Sequence, residues 1–356
     1  MTDPAFPLVF DGHNDVLLRL HKKRQANVES VFLEGEDDGH LDLPRMLAGG
    51  FGGGLFAVYI PSPKNGMSYS QMMRGECYDV PLPPLMEAGE ALPTALAMAA
   101  ILFRIERAAK GAIRICRTAG EIRACLELGV RAAVLHMEGA EAIGPDLAAL
   151  EIFYQSGLRS LGPVWSRPTI FGHGVPFRYP STPDTGPGLT DPGRALVRSC
   201  NELGIAIDLS HITERGFWDV ARLSKAPLIA SHSNAHAVCP HARNLTDPQI
   251  EAIRDSGGLV GLNFATSFLR PDGQRDTDTP IELMLRHLDH LIGILGVDHV
   301  GMGSDFDGAE IPEAIGDVAG LPVLVGAMRA HGYDEATLRK LCHENWIAVL
   351  ERTWGG

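Results

Sequence analysis

LVFDGHND, residues 8–15, begins as an apolar run and ends in a burst of polar side chains. Leu8, Val9 and Phe10 read as a buried strand, and buried strands seldom finish on Asp11, His13 and Asp15. Side chains alternate along a strand with a period of two, so His13 and Asp15 share one face. Taken alone the stretch is equally well a polar turn. The rest of the chain decides between the two.

Seven more runs of the same kind follow: 52–60 (GGGLFAVYI), 130–138 (VRAAVLHME), 158–165 (LRSLGPVW), 204–211 (GIAIDLSH), 227–232 (PLIASH), 258–264 (GLVGLNF) and 299–305 (HVGMGSD). They are continuously apolar rather than alternating, as parallel strands covered on both faces are. Helical segments lie between them. Thr190-Asp-Pro opens one that stops at Gly204, with Leu196, Val197, Cys200 and Leu203 on one face. Thr246-Asp-Pro-Gln249 is a capping-box pattern. Ile281–Leu295 places its apolar residues at a period near 3.6 and stops at Gly296. Eight strands alternating with helices predict a (β/α)8 TIM barrel, α/β in class, formed by residues 1–356 as one domain. A doubly wound open sheet is the competing arrangement, but it gives no reason for the polar residues gathered at the strand ends.

Composition narrows the functional classes. With 31 Lys and Arg against 44 Asp and Glu, the formal net charge is −13. That balance argues against nucleic acid, which is bound through clustered Lys and Arg. Six cysteines lie scattered with no C-x-x-C pair and read as reduced core thiols. The start, MTDPAFPLVF, lacks the features of a secretion signal. The most apolar stretch, ALPTALAMAAILF at 91–103, is shorter than the roughly 20 residues that span a bilayer. A cytoplasmic protein without membrane contact is expected.

Two long insertions follow strands: residues 61–85, rich in Pro and Met, and 166–189, rich in Gly and Pro. In a barrel both sit on the face where active sites are built. The same face collects His13 and Asp15 from strand one, Glu138 from strand three, His211 from strand five, His232 from strand six and Asp305 from strand eight. Imidazole and carboxylate ligands suit Zn²⁺, with other divalent metals also possible. Even five of these six as ligands would exceed the roughly three that one catalytic zinc takes from protein, which points to two metals sharing a carboxylate. Two such ions can hold a bridging hydroxide and polarise the bond it attacks, so hydrolysis is the expected chemistry.

DGHND (11–15), HMEGAEAIG (136–144), DLSH (208–211), SHSNAHAVCPHARNLTD (231–247) and GSDFDG (303–308) together resemble the membrane (renal) dipeptidase family of binuclear zinc peptidases, peptidase family M19, in its soluble bacterial form. The resemblance runs over most of the chain in the family's order. It implies a (β/α)8 barrel with two zinc ions: His13 and Asp15 on one, His211 and His232 on the other, and Glu138 between them. Asp305 then matches the acid/base that takes a proton and passes it to the leaving amine. Arg243, in HARN, matches the residue that grips the carboxylate of a dipeptide, with a D-residue tolerated at the C-terminal position. A guanidinium fork suits that task because it can pair both oxygens.

One position departs from the family. Members of the mammalian type carry a histidine at the end of strand four that contacts the scissile carbonyl; here GPVWSR puts Trp165 near that place, and His173 in the adjacent FGHG is a candidate substitute. His136 is expected either beside the ligands or as packed core. Asp11, Asp208 and Asp307 are expected to be structural, and His236 and His241 to shape their loop. Small dipeptides are the expected partners, with a homodimer left open. A metal-dependent amidase, lactonase or deaminase, or a metal-binding protein without activity, remains the alternative.

Overall fold

A computed structural model describes residues 6–62 and 67–355 of the protein. Its centre is a barrel of eight parallel strands, each at one of the apolar runs: β1 (Val9–Asn14), β2 (Phe51–Tyr59), β3 (Arg131–Glu138), β4 (Leu158–Gly162), β5 (Ala206–Ile207), β6 (Ile229–Ala230), β7 (Leu259–Asn263) and β8 (Val300–Gly303). The hydrogen-bonded order is β5-β4-β3-β2-β1-β8-β7-β6. A parallel bridge between Asp208 and Ile229 joins the two ends and closes the barrel. Every residue of β2 and of β3 is buried, which is why these strands read as unbroken apolar runs.

A helix follows each strand in turn: Val16–Lys23, Ala88–Ala108, Ala148–Ser156, Asp191–Leu203, Glu214–Leu223, Asp247–Asp255, Ile281–Leu295 and Leu321–His331. Their ends are where the sequence puts them. Thr190 caps Asp191–Leu203 by accepting the Gly193 N–H, and Gly204 ends it in the left-handed conformation. Thr246 and Gln249 form the capping box of the next. Ala88–Ala108 is longer than the apolar stretch at 91–103 suggests, and it runs through Pro93, which leaves one helical hydrogen bond unmade. By length and composition it could cross a membrane. Here its Ala91, Ala95, Met98, Leu102 and Ile105 are buried against the helices Val16–Lys23 and Val28–Glu34.

The strand ends differ from the sequence reading in length. β4 stops at Gly162 because Pro163 has no N–H to extend the ladder, so Trp165 lies beyond it. β5 and β6 keep only two residues each, since the chain beyond them turns into the site. A short strand, Ile113–Ile115, was not expected; it pairs with Arg131–Ala133 below the point where β4 joins β3.

The barrel floor is closed by the helix Asn345–Trp354. Trp346 is fully buried there and donates Nε1–H to the Met302 carbonyl at 2.8 Å. A Cβ on Gly12 would overlap its ring, so the glycine inside DGHND exists to let β1 pass over this indole.

The two insertions are tied to one another over the other end. Tyr78–Asp79 from the first pairs antiparallel with Arg178–Tyr179 from the second. Tyr78 and Tyr179 donate their hydroxyls to the carbonyls of Gly273 and Pro271, at 2.6 and 2.5 Å. The second insertion is also pinned at its root. Arg167 and Glu141 form an ion pair at 2.8 Å with both side chains buried, and Arg167 reaches on to the Ile60 carbonyl and the Ser62 hydroxyl.

Candidate metal centre

The strand ends converge on Glu138. Its Oε1 lies 2.9 Å from His211 Nε2 and 3.4 Å from His232 Nε2, while its Oε2 lies 3.6 Å from His13 Nε2. His13 Nε2 is in turn 3.4 Å from Asp15 Oδ2. Two trios with metal-ligand spacing share this carboxylate: His13, Asp15 and Glu138, and Glu138, His211 and His232. Asp208 forms a third grouping with His13 and His232. All these side chains are buried.

The donor atoms suit metal ions better than they suit one another. His211 and His232 bring their Nε2 atoms within 3.1 Å, while their Nδ1 atoms face the hydroxyls of Ser166 and Ser231 at 2.8 and 2.7 Å. Burial, with the positive charges of Arg243 and His13 nearby, keeps both rings far below the usual histidine range and therefore neutral. Both nitrogens of His13 and Oδ1 of Asp15 are buried without a hydrogen-bond partner. Such atoms are rare unless something else claims them. Burial, reinforced by Asp15 and Asp305, pushes Glu138 well above the carboxylate range even though His13 and Arg243 oppose it. Burial disfavours a charge on His13, yet Glu138, Asp15 and Asp305 together raise it to about 10. The cluster is short of positive charge, and that is the condition in which divalent cations are held.

Asp305 follows β8 with φ of 61°, and His211 has φ of 68°. Left-handed backbone is uncommon for such residues, costs on the order of 1 kcal/mol and persists where the surroundings enforce it. For Asp305 the surroundings are Asp11 and Ser304. Asp11 accepts the Ser304 N–H at 2.6 Å and its hydroxyl at 2.8 Å, and Asp305 N–H donates to the His13 carbonyl at 3.0 Å. Asn263 donates to Asp305 Oδ2 at 3.1 Å. Burial and Asp15 raise the Asp305 carboxyl above its ordinary value, against the pull of His13, Asn263 and Arg243.

A cleft of about 370 Å³ opens over the cluster. Asp15, Glu138, His211 and Asp305 form its base, and its walls include Tyr59, Tyr69, Met73, Trp165, Phe177 and Phe268. Both insertions thus reach the site. The Trp165 ring stands 5.0 Å from that of Tyr59, 5.6 Å from Phe177 and 5.7 Å from His211. His173 is half-buried and is not among the cleft-lining residues; its carbonyl accepts from Thr213 N–H. Arg243 is buried, with its guanidinium 5.3 Å from the Phe268 ring centre. It donates to the His232 carbonyl at 3.0 Å and to Ser233 at 3.4 Å, and its Nε has no partner.

Of the side residues, His136 packs edge-on to His13 and bonds Ser160. His241 accepts the Arg243 N–H, and Asp307 accepts the His40 N–H, so both shape loops. Met73 lines the cleft, Met72 is half-buried, and Met67 is exposed. Sequence reasoning missed Ser166, Ser231, Asn263 and Gly308. All four lie inside or next to the quoted motifs, but small polar residues and glycines carry no chemistry that marks them out.

The fold and the sequence both have counterparts among known proteins. The model of the membrane dipeptidase family (peptidase family M19) matches residues 5–354. A metallopeptidase from Rhodobacter sphaeroides, solved with a phosphinate mimic of the dipeptide L-Ala-D-Ala, superimposes with a TM-score of 0.96 at 62% identity, covering 98% of this chain and all (100%) of that one. An uncharacterised protein of the pqqA 5′ region of Klebsiella pneumoniae is 50% identical over 72% of this chain and 94% of its own length. The dipeptidase tcpJ of Claviceps purpurea is 27% identical over 96% of this chain and 76% of its own. The chain belongs to the membrane dipeptidase family, peptidase family M19, a family of metal-dependent dipeptidases.

Proposed function

We propose that the protein is a two-metal dipeptidase that hydrolyses dipeptides, including those with a D-residue at the C-terminal position. The observation that carries this reading is the position of Glu138, whose two carboxylate oxygens face two separate sets of ligands. His13 and Asp15 would hold one ion, His211 and His232 the other, with Glu138 shared; zinc suits the mixed imidazole and carboxylate donors. When bound, the pair supplies an activated water and polarises the scissile carbonyl. Asp305, at the base of the cleft and held by Asn263, takes the proton from that water and returns it to the departing amine. Arg243 pairs the C-terminal carboxylate of the substrate through its guanidinium, whose Nε has no partner within the protein. Trp165 and Tyr59 wall the space beside His211 and limit the side chain it accepts. The ligand in the Rhodobacter relative supports the D-residue, since it mimics L-Ala-D-Ala.

The test is metal analysis joined to a substrate panel. Two equivalents of zinc with turnover of L,L- or L,D-dipeptides are expected. Comparable turnover of tetrapeptides is incompatible with a carboxylate held one residue beyond the scissile bond.

A further inference from the structure

Asp208 is fully buried, and none of the roles above uses it. It stands at the thinnest place in the barrel. β5 and β6 have two residues each, and among the described residues their backbones meet at the Asp208–Ile229 bridge, where Leu209 N–H donates to the Ile229 carbonyl at 2.8 Å. The carboxylate of Asp208 adds two side-chain bonds across this seam, both to Ser231. Its Oδ1 accepts the N–H groups of Ser210 and Ser231 at 3.0 and 2.8 Å, and its Oδ2 accepts the Ser231 hydroxyl at 2.5 Å.

Those bonds reach both histidines of one half-site. Because Ser231 gives its proton to Asp208, its oxygen must accept from His232 Nδ1, at 2.7 Å. His232 is thereby fixed as the tautomer whose Nε2 is bare and turned to Glu138. Ser210 accepts the His232 N–H on its hydroxyl at 3.1 Å and directly precedes His211 in the chain. The other half-site, His13 and Asp15, is anchored by β1 and by the Asp11–Ser304 bonds; it meets the first through the His13 ring, stacked on His232 at 3.9 Å, rather than through a hydrogen bond to Ser210 or Ser231.

We infer that Asp208 is a positioning residue which, through Ser231 and Ser210, holds the His211/His232 half of the metal centre in place across the barrel seam and leaves the His13/Asp15 half to other bonds. This rests on the two-ion reading above. Direct ligation by Asp208 together with His13 and His232 is the competing role, but three donors already occupy its two oxygens.

The experiment is calorimetric titration of metal-stripped full-length protein with Zn²⁺, comparing wild type, Asp208→Asn and Ser231→Ala, with Asp15→Asn to identify which binding step is which. Circular dichroism and thermal melting confirm that each variant folds. One step is expected to weaken about 10- to 100-fold in both Asp208→Asn and Ser231→Ala, the usual effect of removing a ligand's outer partner, while the step lost in Asp15→Asn stays as in wild type. If Asp208→Asn does not fold, Ser231→Ala decides, since it keeps both N–H bonds to Asp208. Equal weakening of both steps, or of neither, overturns the inference. So does loss of a full equivalent in Asp208→Asn with Ser231→Ala unchanged, which makes Asp208 a ligand. A wild type that takes up a single equivalent overturns the two-ion reading instead.

Discussion

Gly308 lies against Asp15 so closely that a Cβ at that position would overlap its carboxylate, and that of Asp305 as well. One absent methyl group lets a proposed metal ligand and the proposed acid/base approach each other. Gly308→Ala should fold normally and lose about 100-fold in kcat, the scale expected when a reacting group is displaced by an ångström. Steady-state kinetics on an L,D-dipeptide checks this; an unchanged kcat would show that the approach does not matter.

Asp305→Asn keeps the shape of the side chain and removes its basicity. Turnover should drop between about 10²- and 10⁴-fold while zinc content stays at the wild-type level. Metal analysis and kinetics on the same preparation separate the two effects. A variant that kept its turnover would remove Asp305 from the proton path.

Arg243→Ala should cost about 10- to 100-fold in kcat/KM on dipeptides, as loss of a charge-assisted hydrogen-bonded pair does. On the corresponding dipeptide amides, which lack the carboxylate, wild type and variant should be alike. An equal loss on both substrates would mean that Arg243 only props the loop it bonds.

His287 gives a stability prediction independent of the metal centre. Its Nδ1 accepts the Ala235 N–H at 3.2 Å and its Nε2 donates to the Leu269 carbonyl at 3.0 Å, so the buried ring must stay neutral. Burial lowers its pKa to about 4. The unfolded chain therefore binds the extra proton first, and stability present above pH 6.5 is lost as the pH falls toward 4. The loss amounts to about 3 kcal/mol for this group. Urea unfolding across that range should show a slope shallower by about one proton in His287→Gln. An identical slope would mean the ring is already charged in the folded protein.

Much of the fold was legible because parallel strands buried on both faces leave an unbroken apolar signature, and all eight barrel strands carry it. The converging residues were legible for a related reason: His13, Glu138, His211, His232 and Asp305 each interrupt that signature where a strand leaves the core. Ile113–Ile115 was hidden because three residues with Arg114 in the middle look like any polar turn. The Arg167–Glu141 pair joins positions 26 apart through burial that no local pattern announces. Asp208 read as structural because its side chain is out of step with the ligands, and that offset is what lets it reach Ser231 from behind.

The short pairing of Tyr78–Asp79 with Arg178–Tyr179 bears on how substrate range changes in such a barrel. Tyr69 and Met73 come to the cleft wall from one insertion, Trp165 and Phe177 from the stretch that includes the other, and the two are laced together above it. Lengthening one alone would pull the shared strand pair out of register. The cleft wall is thus built from a matched pair of segments, and a graft meant to transfer it has to carry both.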